Sequence, residues 1–99
     1  MRLADGIVEL HAEITALRRD LHAHPELRFE EHRTAAIVAD KLRSWGLDVT
    51  EGIGGTGVVG TLRRGRSSRA IGLRADMDAL PVQEANAFAH RSQHDGRMH

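Results

Sequence analysis

The sequence predicts an α/β fold: two helices, then a short strand and a β-hairpin. Three observations carry this. Apolar residues recur at helical spacing through the first half of the chain. After Gly46 the period shortens into β-branched runs, and glycine-rich stretches punctuate those runs.

Ile7, Leu10, Ile14, Leu17 and Leu21 are spaced 3, 4, 3 and 4 apart, one stripe of an amphipathic helix. Arg18, Arg19 and Asp20 fill its polar faces. Pro25 ends it, because His24, standing before a proline, is biased away from helical angles. In the second helix Glu30 and Glu31 suit the positive end of the dipole, and Lys41 and Arg43 suit the negative end. Ala35, Val38, Leu42 and Trp45 form its predicted buried stripe, and Gly46 its left-handed cap.

Residues 47–50 are a short strand candidate. The stretch 52–57, GIGGTG, comes next, and then the β-branched run 58–63. Residues 64–68 read as a turn and 70–75 as the second strand of a hairpin, ending in Asp76-Met77-Asp78 before Pro81. GIGGTG satisfies the dinucleotide-binding spacing, but that fingerprint needs a helix opening on its last glycine. A strand comes there instead, so the glycines serve a connection into the hairpin, and Gly54→Ala is expected to damage folding. Residues 83–99 have no clear period.

Ninety-nine residues make one domain at most. A 40% hydrophobic and 28% charged composition belongs to folded chains, not disordered ones. With 14 basic and 14 acidic residues there is no electrostatic case for nucleic acid or an anionic membrane. The few aromatics, Phe29, Trp45 and Phe88, weaken base stacking further. The absence of cysteine excludes disulfides and thiolate metal sites within these residues. No apolar run is long enough for a signal peptide or a membrane span, so a cytoplasmic location is expected.

Asp76 and Asp78 are the sharpest candidate site residues. At i and i+2 on a strand they share one face, roughly 6.6–7 Å apart. At a strand end they could bind or orient a cation, or orient its imidazole ligands; the alternative is a solvated acidic turn. His90, His94 and His99 are spaced 4 and 5 apart and offer imidazoles of the kind that bind zinc or manganese. Exposed loop histidines are the alternative there. His22 and His24 stand where a histidine serves a helix C-terminus.

Several motifs occur in a fixed order: RDLHAHPEL (19–27), FEE (29–31), GIGGTGVVG (52–60) and LRADMDALP (73–81). Together they resemble the start of the metal-dependent amidohydrolases: hippurate hydrolase, N-acyl-amino-acid deacylases and indole-acetyl-amino-acid hydrolases. Those belong with the aminoacylase and carboxypeptidase-type metallopeptidases. The resemblance implies a zinc-peptidase-like αβ sandwich, of which residues 1–99 are the N-terminal part of the catalytic domain. It implies a divalent metal pair of zinc or manganese type, an N-acyl amino acid substrate, and a homodimer formed by a further domain. In such relatives residues 96–99 lead into an Ala-Cys-Gly-His-Asp segment whose Cys and His bind metal. The chain is therefore expected to be a fragment that holds no metal by itself, lacks the dimerisation domain and is inactive alone. Asp78 matches the aspartate that orients a ligand or base. Asp76 stands where other members carry a metal-binding histidine, which puts its role in question. Unpaired sheet edges and unpartnered helix stripes are expected too. Two alternatives remain: a small metal module built from His90, His94, His99 and the aspartate pair, and an interaction fragment docking through an exposed edge.

Overall fold

The computed structural model describes residues 2–99. The elements run α1 (Asp5–Ala23), α2 (His32–Ser44), β1 (Asp48–Ile53) and β2 (Gly57–Thr61). Two compact units result: Glu26–Asp78, and the chain through Pro25 together with Ala79–His99.

In the Glu26–Asp78 unit, α2 has no side-chain cap at its own N-terminus. Glu26 supplies one from a distance. Its carboxylate accepts from the Arg33 N–H at 3.0 Å, the Thr34 N–H at 2.6 Å and the Thr34 hydroxyl at 2.7 Å. These are N–H groups of the first turn that no carbonyl can reach. Glu30 and Glu31, expected to serve the dipole, lie outside the first turn, which holds no acidic residue. Glu31 is buried instead, accepting from the Phe29 N–H at 2.7 Å and from the Thr56 hydroxyl. Phe29 takes φ of 63°, the left-handed region, while its ring stays exposed.

The C-terminus of α2 is as expected. Gly46 has φ of 84°, its N–H donates to Arg43 O, and the Leu47 N–H donates to Leu42 O, a Schellman closure. The buried stripe differs in detail. Thr34, Ala35 and Ala39 are buried, Val38 and Leu42 partly so, and Trp45 is exposed. The small residues form the inner face because α2 lies against the β1–β2 hairpin. A Cβ on Gly60 would come within 3.0 Å of Leu42 and Leu47 side-chain carbons.

The hairpin falls earlier in the chain than the sequence predicts. β1 pairs antiparallel with β2, from Asp48 opposite Thr61 to Ile53 opposite Gly57, with an irregularity between Glu51 and Ile53. GIGGTG is thus the turn of the hairpin and not the connection into one. Gly52, Gly54 and Gly55 all have positive φ, which brings the chain back within four residues. The expected second strand at 70–75 does not form. No backbone hydrogen bond among the described residues involves 70–78, and Ile71 and Leu73 are 91% and 96% exposed. A strand needs a neighbour, and neither strand of the two-stranded sheet pairs with 70–75.

In the other unit, α1 covers the predicted stripe, but most of that stripe has no partner. Ile7, Leu10 and Ile14 are exposed, Leu17 and Leu21 are half-buried, and Ala23 is buried. The helix ends before Pro25 as expected, with His24 at φ −123°. Residues 79–99 carry no helix or strand. They are held by a two-way bridge between Leu80 and Met98, at 2.9 and 3.1 Å, and by the Gln93 N–H donating to Ala23 O at 2.9 Å. No helix among the described residues is long and apolar enough to cross a membrane.

Candidate functional site

Asp76 and Asp78 end the unpaired 70–78 segment, not a hydrogen-bonded strand. Asp76 forms an ion pair with Arg74, at 2.7 Å, and both side chains are largely exposed. That pair takes up the Asp76 carboxylate with a cation of the protein's own. Asp78 is half-buried and carries no hydrogen bond or ion pair among the described residues. It is the better placed of the two to accept from a group brought to it.

The three C-terminal histidines do not converge. His90 stacks on Phe88 with ring centroids 3.9 Å apart and lies 6.0 Å from His22; His99 lies 6.5 Å from His22. His94 sits instead beside His24, at 6.4 Å. Among the described residues no three His, Asp or Glu side chains are placed to hold a metal ion. Within their own unit, the three imidazoles of His90, His94 and His99 are therefore not gathered around one point. Residues 83–99 form no helix or strand, and they leave His90 and His99 beside His22 but His94 beside His24.

His24 fulfils the helix-end expectation, its Nδ1 donating to the Asp20 carbonyl at 3.0 Å. His22 does something else. Its Nε2 lies 3.0 Å from both carboxylate oxygens of Glu84. Glu84 is buried and also accepts from Asn86 Nδ2 at 2.9 Å and from the Ser92 N–H at 2.5 Å. Burial alone would raise the Glu84 carboxyl, but the Ser92 N–H, His22 and Asn86 outweigh it and hold it at about 2. Burial lowers His90, and the nearby Arg19, Arg18 and His22 lower it further, against an opposing pull from Glu84. The Glu84–His22 contact places the proton on Nε2, which leaves Nδ1 with the lone pair whenever the ring is neutral. It is a fixed carboxylate–imidazole pair of the sort that orients a histidine. Sequence reasoning passed over it because 83–99 has no period. The available signal was a lone acid inside the small and apolar run ALPVQEANAFA.

No family model matches the chain. Individual proteins do. The chain is 48% identical to Campylobacter jejuni hippurate hydrolase over 99 residues, all of this chain and 26% of that protein. It is 43% identical to a Geobacillus stearothermophilus N-acyl-L-amino acid amidohydrolase over 98 residues, 99% of this chain and 26% of that protein. The structure of a Bacillus subtilis protein, described as a dinuclear metal binding peptidase from the M20 family, superposes with a TM-score of 0.86 at 35% identity. That match covers 97% of this chain and 26% of the other. The chain is a homologue of amidohydrolases and M20 peptidases. It spans about a quarter of the length of these relatives. Two helices followed by an antiparallel pair of strands are thus a piece of the peptidase-domain fold.

Proposed function

We propose that the chain supplies the N-terminal part of the catalytic domain of a hydrolase that cleaves the amide bond of N-acyl amino acids of the hippurate kind. The observation that carries this is the alignment of all 99 residues, 48% identical, with a hippurate hydrolase. In the reaction water adds to the amide carbonyl, the C–N bond breaks, and the nitrogen leaves with a proton as the free amino acid, giving a carboxylic acid and an amine.

A divalent metal pair, of zinc or manganese type, belongs to this reading, supported by the dinuclear description of the M20 neighbour. The described residues do not fit such a pair by themselves, since no three ligating side chains meet. Asp78, unpartnered and half-buried, is assigned as a positioning carboxylate that orients a ligand or base. Asp76, already paired with Arg74, is not given a role. The remaining features of the reading are a dimerising domain outside residues 1–99, a homodimeric whole protein, and a cytoplasmic place of action.

The test is glycine release from N-benzoylglycine. The 99-residue chain is expected to release none, whereas a longer product that continues past His99 into a Cys-Gly-His-Asp segment should release it. In that product Asp78→Asn is expected to lower kcat/KM by about 10- to 100-fold, as for loss of a group that orients a ligand or base. Hydrolysis by the 99-residue chain itself would end the fragment reading. Full activity in the Asp78→Asn protein would end the assignment of Asp78.

A further inference from the structure

Glu84 stands at the centre of a closed loop. Its side chain is fully buried, and both carboxylate oxygens are engaged. One accepts from the Ser92 N–H at 2.5 Å, the other from Asn86 Nδ2 at 2.9 Å, and His22 Nε2 lies 3.0 Å from both. His22 belongs to the last turn of α1, so the carboxylate ties the loop to the end of that helix. The Gln93 N–H, next to Ser92, donates to Ala23 O at 2.9 Å and makes a second tie. All these groups lie inside one compact unit and satisfy one another there.

The hydrogen bonds continue outward from Glu84. Ser92, held by its N–H, donates its hydroxyl to Arg97 O at 2.7 Å. The next residue, Met98, exchanges both backbone bonds with Leu80, at 2.9 and 3.1 Å. Gln83 adds a brace, its Oε1 accepting from the Gly96 N–H at 2.6 Å. Glu84, Ser92, Arg97, Met98 and Leu80 therefore form one connected path, and its last step closes the loop on itself. Bonds to an ionised carboxylate are about twice as strong as neutral ones, which makes Glu84 the anchor of that path. Leu80 follows Asp78 by two residues, at most about 7 Å of chain. Chain leaving Met98 thus starts beside the residue that Asp78 leads into.

We propose that Glu84 is a positioning residue for the amide hydrolysis described above: through Ser92 it holds Met98 against Leu80, and so fixes the chain after Met98 relative to Asp78. Glu84 touches no substrate in this role; it acts through the backbone that it immobilises. The inference rests on the amidohydrolase reading, in which Asp78 orients a group brought to it. A misplacement of about 1 Å at such a site costs about 100-fold in rate, so a fixed loop end matters there.

Two measurements test it, one on the 99-residue chain and one on the longer product that continues past His99. In hydrogen-exchange NMR of the 99-residue chain, the Leu80 and Met98 amides are expected to be protected. Ser92→Ala and Glu84→Gln should each speed their exchange about tenfold, with the α2 amides unchanged. Absence of protection at Leu80 and Met98, or protection that survives both substitutions, overturns the proposal. In the longer product Ser92→Ala should lower kcat/KM for N-benzoylglycine about tenfold. That effect should largely vanish in an Asp78→Asn background, because both changes spoil one geometry. A role confined to stability would lower the active fraction and multiply with Asp78→Asn, so independent effects overturn the proposal. Full activity in the Ser92→Ala protein overturns it as well. If the unsubstituted longer product releases no glycine, the amidohydrolase reading falls and the role in hydrolysis with it, while the exchange result still decides whether Glu84 holds the loop.

Discussion

Gly57 and Gly54 lie three positions apart around one turn, and different constraints hold them. A Cβ on Gly57 would stand 2.4 Å from the Ile53 carbonyl oxygen, a backbone atom that cannot swing aside. A Cβ on Gly54 would meet nothing within 4 Å, so only its φ of 63° resists a side chain. Gly57→Ala is therefore expected to cost about 1–3 kcal/mol, as overpacking that moves backbone does. Gly54→Ala should cost about 1 kcal/mol, the left-handed penalty alone. Urea denaturation of the two variants gives the order directly, and the reverse order would contradict this account. The expected effect of Gly54→Ala on folding thus rests on its φ alone, and the tighter position lies three residues on.

Glu84 makes the second residue-scale prediction. Its folded pKa, about 2, lies below the ordinary 4.5. A carboxyl depressed by folding contributes stability that is complete above the unfolded pKa and is lost as pH falls through the folded one. The window is therefore from about 4.5 down to about 2. Thermal melts of the protein and of Glu84→Gln should differ most near neutral pH, with the variant less stable, and converge as the pH drops through that window. A gap that widens on acidification would mean that the carboxylate is not what His22, Asn86 and Ser92 hold.

At the scale of elements, α2 shows how a cap can come from outside the helix. Glu26 holds two first-turn N–H groups and the Thr34 hydroxyl from six residues before the helix begins. Burial raises this carboxyl, yet the bonds from Thr34 and Arg33 and the His32 charge leave it lowered. Glu26→Ala should cost about 1 kcal/mol, the usual worth of a lost N-cap, and the Arg33 and Thr34 amides should exchange faster in hydrogen-exchange NMR. Unchanged exchange at those two amides would show the cap to be idle. The helix itself was legible from its apolar spacing and from Gly46. The capping residue was not, because Glu26 reaches it through a loop whose path depends on the positive φ at Phe29. The hairpin was half legible. Its glycines marked a turn, but sequence alone could not tell whether the run 58–63 would pair back with the strand before the glycines or forward with 70–75.

At the scale of the whole molecule, the buried apolar residues among those described are Ala23, Pro25, Ala35, Ala39 and Ala79, while Ile7, Val8, Leu10, Ile14, Ile71 and Leu73 are exposed. Alanines bury little area each, so the hydrophobic gain on folding is small against the chain entropy. Calorimetry is expected to show a broad transition, with an enthalpy well below the roughly 0.7 kcal/mol per residue of ordinary domains. A sharp two-state peak of full enthalpy would mean that the long apolar side chains find partners after all.

The sequence by itself determined the helices, their C-terminal ends, the turn glycines and the kinship with amidohydrolases. Each is encoded locally, in spacing, a proline, a glycine or an ordered set of short motifs. Only the tertiary structure decided that the hairpin is β1 with β2, that 70–75 stays unpaired, that the C-terminal histidines part company, and that Glu84 meets His22 across 62 residues of sequence. The physical reason is the same in each case. Strand partners and buried polar pairs are chosen by which groups are left to satisfy one another once the chain has folded, and that choice lies outside any local window.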